Sequence, residues 1–143
     1  LCENMGRVNY GPKILDRKGI KGVRMGLQNH FGWNMYSLTM DNLNKLKFSE
    51  ENDGVSSVPT FFRGVLNIEN EPCDTFVKLD GFTKGVVIVN GFNLGRYYNP
   101  AGPQKTLYVP APVLKKGENE IIVFESDNAS ADFVEFCDKP ILG

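Results

Sequence analysis

Between Asp74 and Glu125 the chain reads DTFVKLDGFTKGVVIVNGFNLGRYYNPAGPQKTLYVPAPVLKKGENEIIVFE. Short runs of alternating apolar residues are separated there by Gly, Pro and Asn, and the runs recur at intervals of about eight to twelve residues. No helix can persist through that spacing, because each break comes before a third turn could form. Paired strands are what remains. The clearest segment is Gly85 to Tyr98, where VVIV enters Asn90-Gly91 and leaves as FNLGRYY. Asn-Gly tolerates positive φ at both positions, so this segment predicts a tight hairpin on a type I′ turn.

The same alternation extends outward from this block. The run TFFRGVLNI, after Pro59 and closed by Glu69 to Pro72, predicts a strand, and Asp74 and Asp80 flank another. Leu107 to Val109, Ile121 to Phe124 and Phe133 to Cys137 predict three more, the last at an edge. PAPVLKKGENE separates two of these as a loop with one helical turn at Val113 to Lys116. Trp33 to Leu38 alternates large apolar and small polar side chains and predicts a half-buried strand. Thr39 to Phe48 carries Met40, Leu43 and Leu46 at helical spacing, so at most one short helix is expected, near 40–47. Residues 49–58 predict an exposed loop, and residues 1–24 predict strand, turn and strand. The expected fold is therefore all-β, a jelly-roll β-sandwich spanning 25–143 with 1–24 as leading strands. Phe61, Phe62, Phe76, Phe82 and Phe124 are its expected core aromatics.

A chain of 143 residues with 41% hydrophobic and 23% charged residues can bury an adequate core without staples. Sixteen basic residues against seventeen acidic ones, unclustered, give no footprint for nucleic acid. No apolar run approaches the ~20 residues of a membrane-spanning helix. Leu1-Cys2-Glu3 reads as the middle of a strand, so a piece of a longer protein is expected. Cys2, Cys73 and Cys137 lack CxxC spacing, and with His30 the sole histidine they make no zinc site. A disulfide between Cys73 and Cys137 is open to the chain, but the odd number favours buried free thiols.

The search for chemistry returns little. A nucleophilic Ser or Cys would need His30 as base, and His30 sits in a polar turn, GLQNHFGW, with no GxSxG elbow nearby. GFTKG and GFNLG lack the ending of a phosphate loop, so their glycines are expected to serve turns and crowded strand positions. Most acids, Glu118 and Glu120 among them, fall in expected loops. Asp74 and Asp80 are expected to cap turns or to pair with a base such as Arg96. No carboxylate pair stands out for glycoside cleavage. No catalytic residue, metal ligand or cofactor is expected. Asn128-Ala129-Ser130 matches the N-glycosylation pattern, which carries no weight in a bacterial protein. Sugar binding needs only aromatic faces and polar side chains, and Trp33, Tyr36, Asn90, Asn93, Arg96, Tyr97 and Tyr98 are the candidate set. For Trp33 and Tyr97 a core or interface role competes with that reading.

Glu3 to Gly11 (ENMGRVNYG), Asp16 to Ile20 (DRKGI), the Gly32 to Leu38 segment and the block from Asp74 to Glu125 together resemble the C-terminal β-domains of glycoside hydrolase family 35 β-galactosidases. The resemblance covers nearly the whole chain, in order. It implies a galactose-binding-domain-like sandwich at the tail of a retaining β-galactosidase. The catalytic glutamates of that family lie in a (β/α)8 barrel, which has no counterpart among these residues. It further implies that residues 1 to about 24 are the end of a preceding β-domain, and that the partners are the barrel and that domain. The expected function is a non-catalytic structural module, with a carbohydrate-binding module for galactose-containing glycans as the alternative. Where the family commonly has tryptophan, this chain has Phe82, Tyr98 and Val113, which thins the aromatic surface. Fold alone does not assign function.

Overall fold

The computed structural model of the protein describes residues 22–36, 39–49 and 55–143. The chain divides into two units, Leu1–Asn44 and Lys45–Gly143. Up to residue 21 the expected leading strands lie outside the described residues, as does Cys2.

In the first unit, β1 (Val23–Met25) and β2 (Gln28–His30) form a small antiparallel hairpin. The strand expected at Trp33 to Leu38 is not found at 33–36, which are irregular and exposed, and 37–38 lie outside the described residues. Alternation yields a strand only where a neighbouring strand takes its edge and its apolar face. Here the Trp33 indole instead turns back, its Nε1 donating to the His30 carbonyl at 3.0 Å. His30 accordingly ends β2 and is half-buried, where a solvent-facing loop was expected. The expected helix shrinks to one 3-10 turn at Leu43–Lys45. Two asparagines and an aspartate within ten residues favour turns over the costly helix nucleus.

The second unit is a sandwich of two main sheets. The larger has the order β4-β9-β6-β7, built from Thr60–Ile68, Gly117–Glu125, Lys84–Val89 and Phe92–Tyr98. Facing it is a three-stranded sheet, β11-β5-β8, from Glu135–Cys137, Thr75–Lys78 and Thr106–Val109. A short pair, β10 (Ala129–Ser130) with β3 (Val55–Ser56), completes the strands among the described residues. Every strand pairing among the described residues is antiparallel. The hairpin turn is formed as expected: Asn90 and Gly91 both have positive φ, 50° and 81°. One extra residue follows in β7, since Val87 pairs with Gly95 and Ile88 with Asn93, and the Gly95 amide donates to Asn93 Oδ1 across the bulge.

The core lies between the sheets. Val77, Leu79, Val87, Val89, Val109 and Val123 are among its buried members, each contributing roughly 1.5–3 kcal/mol of burial energy. The expected core aromatics divide by strand parity. Phe62 and Phe82 meet edge to face at 5.5 Å and pack in the core. Phe61, adjacent to Phe62 on the same strand, must face the other side, where it pairs with Phe124 at 4.6 Å. Phe76 likewise leaves the core and meets Tyr108. Cys73 and Cys137 are both free; Cys73 is exposed and Cys137 half-buried, so neither is the fully buried thiol expected.

The single helical turn of the β8 to β9 connection falls at Ala111–Val113, just before the expected 113–116. Asp74 caps it, its Oδ1 accepting from the Ala111 amide at 2.8 Å. Asp80 pairs with Lys78 at 2.7 Å rather than with Arg96, and Glu135 joins them at 3.0 Å.

Candidate functional site

Strand parity distributes the candidate sugar-binding residues of the hairpin over two faces. On β6, Gly85, Val87 and Val89 face the core, so Lys84 and Val86 face outward. Their partners on β7 follow: Tyr97 pairs with Gly85 and is 5% exposed, whereas Arg96 and Tyr98 pair with Val86 and Lys84 on the outer face. The Lys84 ammonium lies 5.8 Å from the Tyr98 ring centre, a cation–π distance. Arg96 and Tyr98 thus share a surface and Tyr97 does not. Asn93 belongs to the bulge. Trp33 and Tyr36 are exposed and belong to the other unit.

Asn90 is taken up by the turn. Its Nδ2 donates to the Val113 carbonyl and to Asn119 Oδ1, both at 2.8 Å, and its Oδ1 accepts from the Glu120 amide. Asn119 is fully buried and equally engaged. Its Nδ2 donates to the carbonyls of Lys115, Gly117 and Leu66, and its Oδ1 also accepts from the Lys115 amide. Two asparagine side chains therefore tie the β6–β7 turn to the loop before β9. That use of all donors and acceptors is what burial of an amide demands.

Among the described residues one carboxylate is fully buried, and the sequence alone did not single it out. Glu125, the last residue of β9, accepts from the amides of Thr83 (2.7 Å), Lys84 (3.0 and 3.1 Å) and Asp127 (2.8 Å). The Tyr97 hydroxyl adds a further bond at 3.0 Å. Burial, and then the adjacent Glu125 charge, push the Tyr97 phenol well above its ordinary range. The signal that could have found Glu125 is its place in IIVFE, where strand parity puts it on the core face with Ile121 and Val123. Among the described residues it is the one buried acid, and its oxygens hold backbone amides. A second carboxylate facing it across a substrate would be required for glycoside cleavage.

Two concavities flank strand β4. On the outer face, Arg63, Val65, Asn90, Lys115, Glu118 and Glu120 line a groove of about 440 Å³. Glu118 and Glu120, expected in a loop, lie on β9 and point the same way. Among the described residues its lining holds no aromatic ring, the usual platform for a pyranose. On the core side an apolar cleft of about 280 Å³ opens between Phe62, Gly64 and Leu66 of β4 and Phe133, Val134 and Phe136. Among the described residues no group of three or more His, Cys, Asp or Glu side chains is placed to hold a metal ion.

With this geometry in hand, comparison with known proteins gives two family matches. Residues 59–119 match the galactose-binding domain of β-galactosidases, and residues 1–39 match the first all-beta domain of β-galactosidases. Similar proteins include beta-galactosidase-1-like protein 2 of Homo sapiens, 44% identical over 100% of this chain. Beta-galactosidase 17 of Arabidopsis thaliana is 43% identical over 90% of the chain, and beta-galactosidase 1 of Dictyostelium discoideum 40% over 98%. The chain spans 23%, 21% and 22% of these three relatives, less than a quarter of each. These matches support a β-galactosidase domain region, the two segments being similar to two different domains of such proteins.

Proposed function

We propose that this chain is a non-catalytic structural module at the C-terminal end of a family 35 β-galactosidase, and that it contributes no residue to bond cleavage. The observation that carries the proposal is the state of Glu125. The one buried carboxylate among the described residues is surrounded by donors from its own fold, with the Tyr97 phenol closing the last side. In this reading the catalytic glutamates belong to a barrel in the same polypeptide, and the parent hydrolyses terminal β-D-galactosides with retention. Residues 1 to about 24 then belong to the preceding β-domain, a reading supported by the match of residues 1–39 to the first all-beta domain of β-galactosidases.

An assay of the 143-residue chain on a chromogenic β-galactoside tests this. The expected result is no turnover above buffer; turnover that disappears when a residue of this chain is changed would overturn it.

The alternative, a module that itself holds galactose-containing glycans, is favoured by one observation: on the outer face of the hairpin an exposed Arg96 shares its side of the strand with the half-buried Lys84 and Tyr98 cation–π pair. Titration with galactose and lactose by NMR discriminates the two. Saturable shifts at Arg96 and Tyr98 support the binding module, and unchanged spectra support the structural one.

A further inference from the structure

The two main sheets have four edge strands, and they are not equivalent. β11 has three residues and β8 four, while β7 is interrupted by the bulge before Gly95. β4 alone is long and regular: nine residues, in unbroken register with β9 from Thr60 to Ile68. Its other edge has no strand partner among the described residues. Natural sheets protect such edges with proline, lysine, bulges or covering segments. None of the first three occurs within Thr60–Ile68, and its middle residues, Arg63, Gly64 and Val65, are exposed.

The chemistry on either side of this edge is specific. Outward, Val65 is 63% exposed and is surrounded by Lys115, Glu118, Glu120 and Arg63; the Arg63 guanidinium lies over the Phe48 ring, 4.8 Å from its centre, and none of the four charges has an ion pair to any described residue. Inward, Gly64 leaves a gap between Phe62 and Leu66, since a Cβ built there would meet nothing within 4 Å. That gap opens into the apolar cleft, with Phe133 exposed at its mouth. An arriving strand must therefore bring apolar residues on one face and complementary charge on the other. β4 itself carries that pattern.

We propose that β4 is a homodimer interface, in which two copies pair edge to edge, antiparallel, with Val65 on the two-fold axis. Residue numbers across the interface then sum to a constant, and each pairing can be read off. Val65 meets its own copy. Gly64 meets Leu66 of the second copy, an apolar side chain opposite the gap that glycine leaves, and Phe62 meets Ile68. Arg63 meets Asn67, which lies beside Glu118 on the neighbouring strand, so each guanidinium reaches toward a carboxylate of the other molecule. Pairing on the neighbouring centre at Arg63 would set two guanidinium groups face to face. The arrangement is isologous and closed, so it stops at two copies. It does not depend on the functional proposal above.

Sedimentation equilibrium of the 143-residue chain, taken up to about 1 mM, reads the association directly, and isotope-filtered NMR on a mixed labelled sample reads the register. The expected result is a reversible dimer with intermolecular contacts between Val65 methyls and between Gly64 and Leu66. Val65→Lys, a change at an exposed site, sets two ammonium groups across the axis and is expected to weaken association by about tenfold or more. Arg63→Glu weakens it as well, and adding Glu118→Arg restores it. A chain that stays monomeric throughout overturns the proposal, as does a dimer indifferent to Val65→Lys or one whose intermolecular contacts lie off β4.

Discussion

The hydroxyl of Tyr97 reaches over Gly85, its cross-strand partner, to donate to Glu125 at 3.0 Å. The space it crosses exists because residue 85 has no side chain: a Cβ there would collide with the Phe124 carbonyl and lie 2.9 Å from the Tyr97 oxygen. A glycine on β6, a tyrosine on β7 and a glutamate on β9 thus form one unit, and each depends on the identity of the others.

Gly85→Ala is therefore expected to destabilise at the upper end of the ~1–3 kcal/mol typical of overpacking, since the atom in the way is backbone and cannot swing aside. Urea unfolding followed by circular dichroism gives the number. A change under 0.5 kcal/mol would mean that β6 and β9 can part at this point without cost.

Tyr97→Phe removes one donor from the buried carboxylate and leaves the ring in place. Hydrogen bonds to charged groups are worth about 1.5–3 kcal/mol, so a loss of about 2 kcal/mol at neutral pH is expected. The pH dependence has a definite sign. The folded phenol titrates above its ordinary value of 10.0, so its contribution is fully present below that pH. Above it the unfolded phenol loses its proton first, and stability falls as pH rises. Unfolding midpoints at pH 8 and above pH 10 should fall more steeply for the parent than for Tyr97→Phe. Parallel curves would show the phenol to be unperturbed.

What could be read from residues alone was what rests on local chemistry. Asn90-Gly91 announced its turn because positive φ at two successive positions is a backbone property of those residues. Thr60 to Ile68 announced its strand because alternation and a following Glu-Asn-Glu-Pro leave no other solution. Failures came where the deciding partner is distant in sequence. Whether Trp33 to Tyr36 becomes a strand depends on a neighbour that the described residues do not provide, and the role of Glu125 depends on amides 41 and 42 positions earlier. In the candidate sugar-binding set, alternation was enough to put Tyr97 on the opposite face from Arg96 and Tyr98. Which face looks inward could be known only from the second sheet.

Asp74 provides the acid-side counterpart of Tyr97. The Ala111 amide, and then the Tyr108 hydroxyl, hold its carboxyl below the ordinary value of 3.8. A depressed folded pKa stabilises above the unfolded value and is lost as pH falls through the folded one. Asp74→Asn should thus be less stable than the parent at pH 6, with the gap narrowing below pH 3.8. Urea midpoints at pH 6 and pH 2.5 test it. A gap that does not narrow would assign the effect to lost packing rather than to charge.

Asn119 separates shape from hydrogen bonding most sharply. Its amide donates to the carbonyls of Lys115 and Gly117 at 2.8 and 2.9 Å and accepts from the Lys115 amide and from Asn90. Asn119→Asp keeps the shape but turns acceptor against acceptor, placing an oxygen among three carbonyls that now lack a donor. Asn119→Leu removes the polar group and leaves its partners unsatisfied. With each orphaned buried group costing about 1–3 kcal/mol, both variants should lose at least ~2 kcal/mol, and Asn119→Asp should recover part of it in acid as the carboxyl gains a proton to donate. Amide exchange locates the damage: the Lys115 amide, which donates to Asn119 Oδ1, should lose protection in Asn119→Leu, while β5 and β8 amides in the other sheet keep theirs. Uniform loss of protection across both sheets would mean that the turn and the core unfold as one.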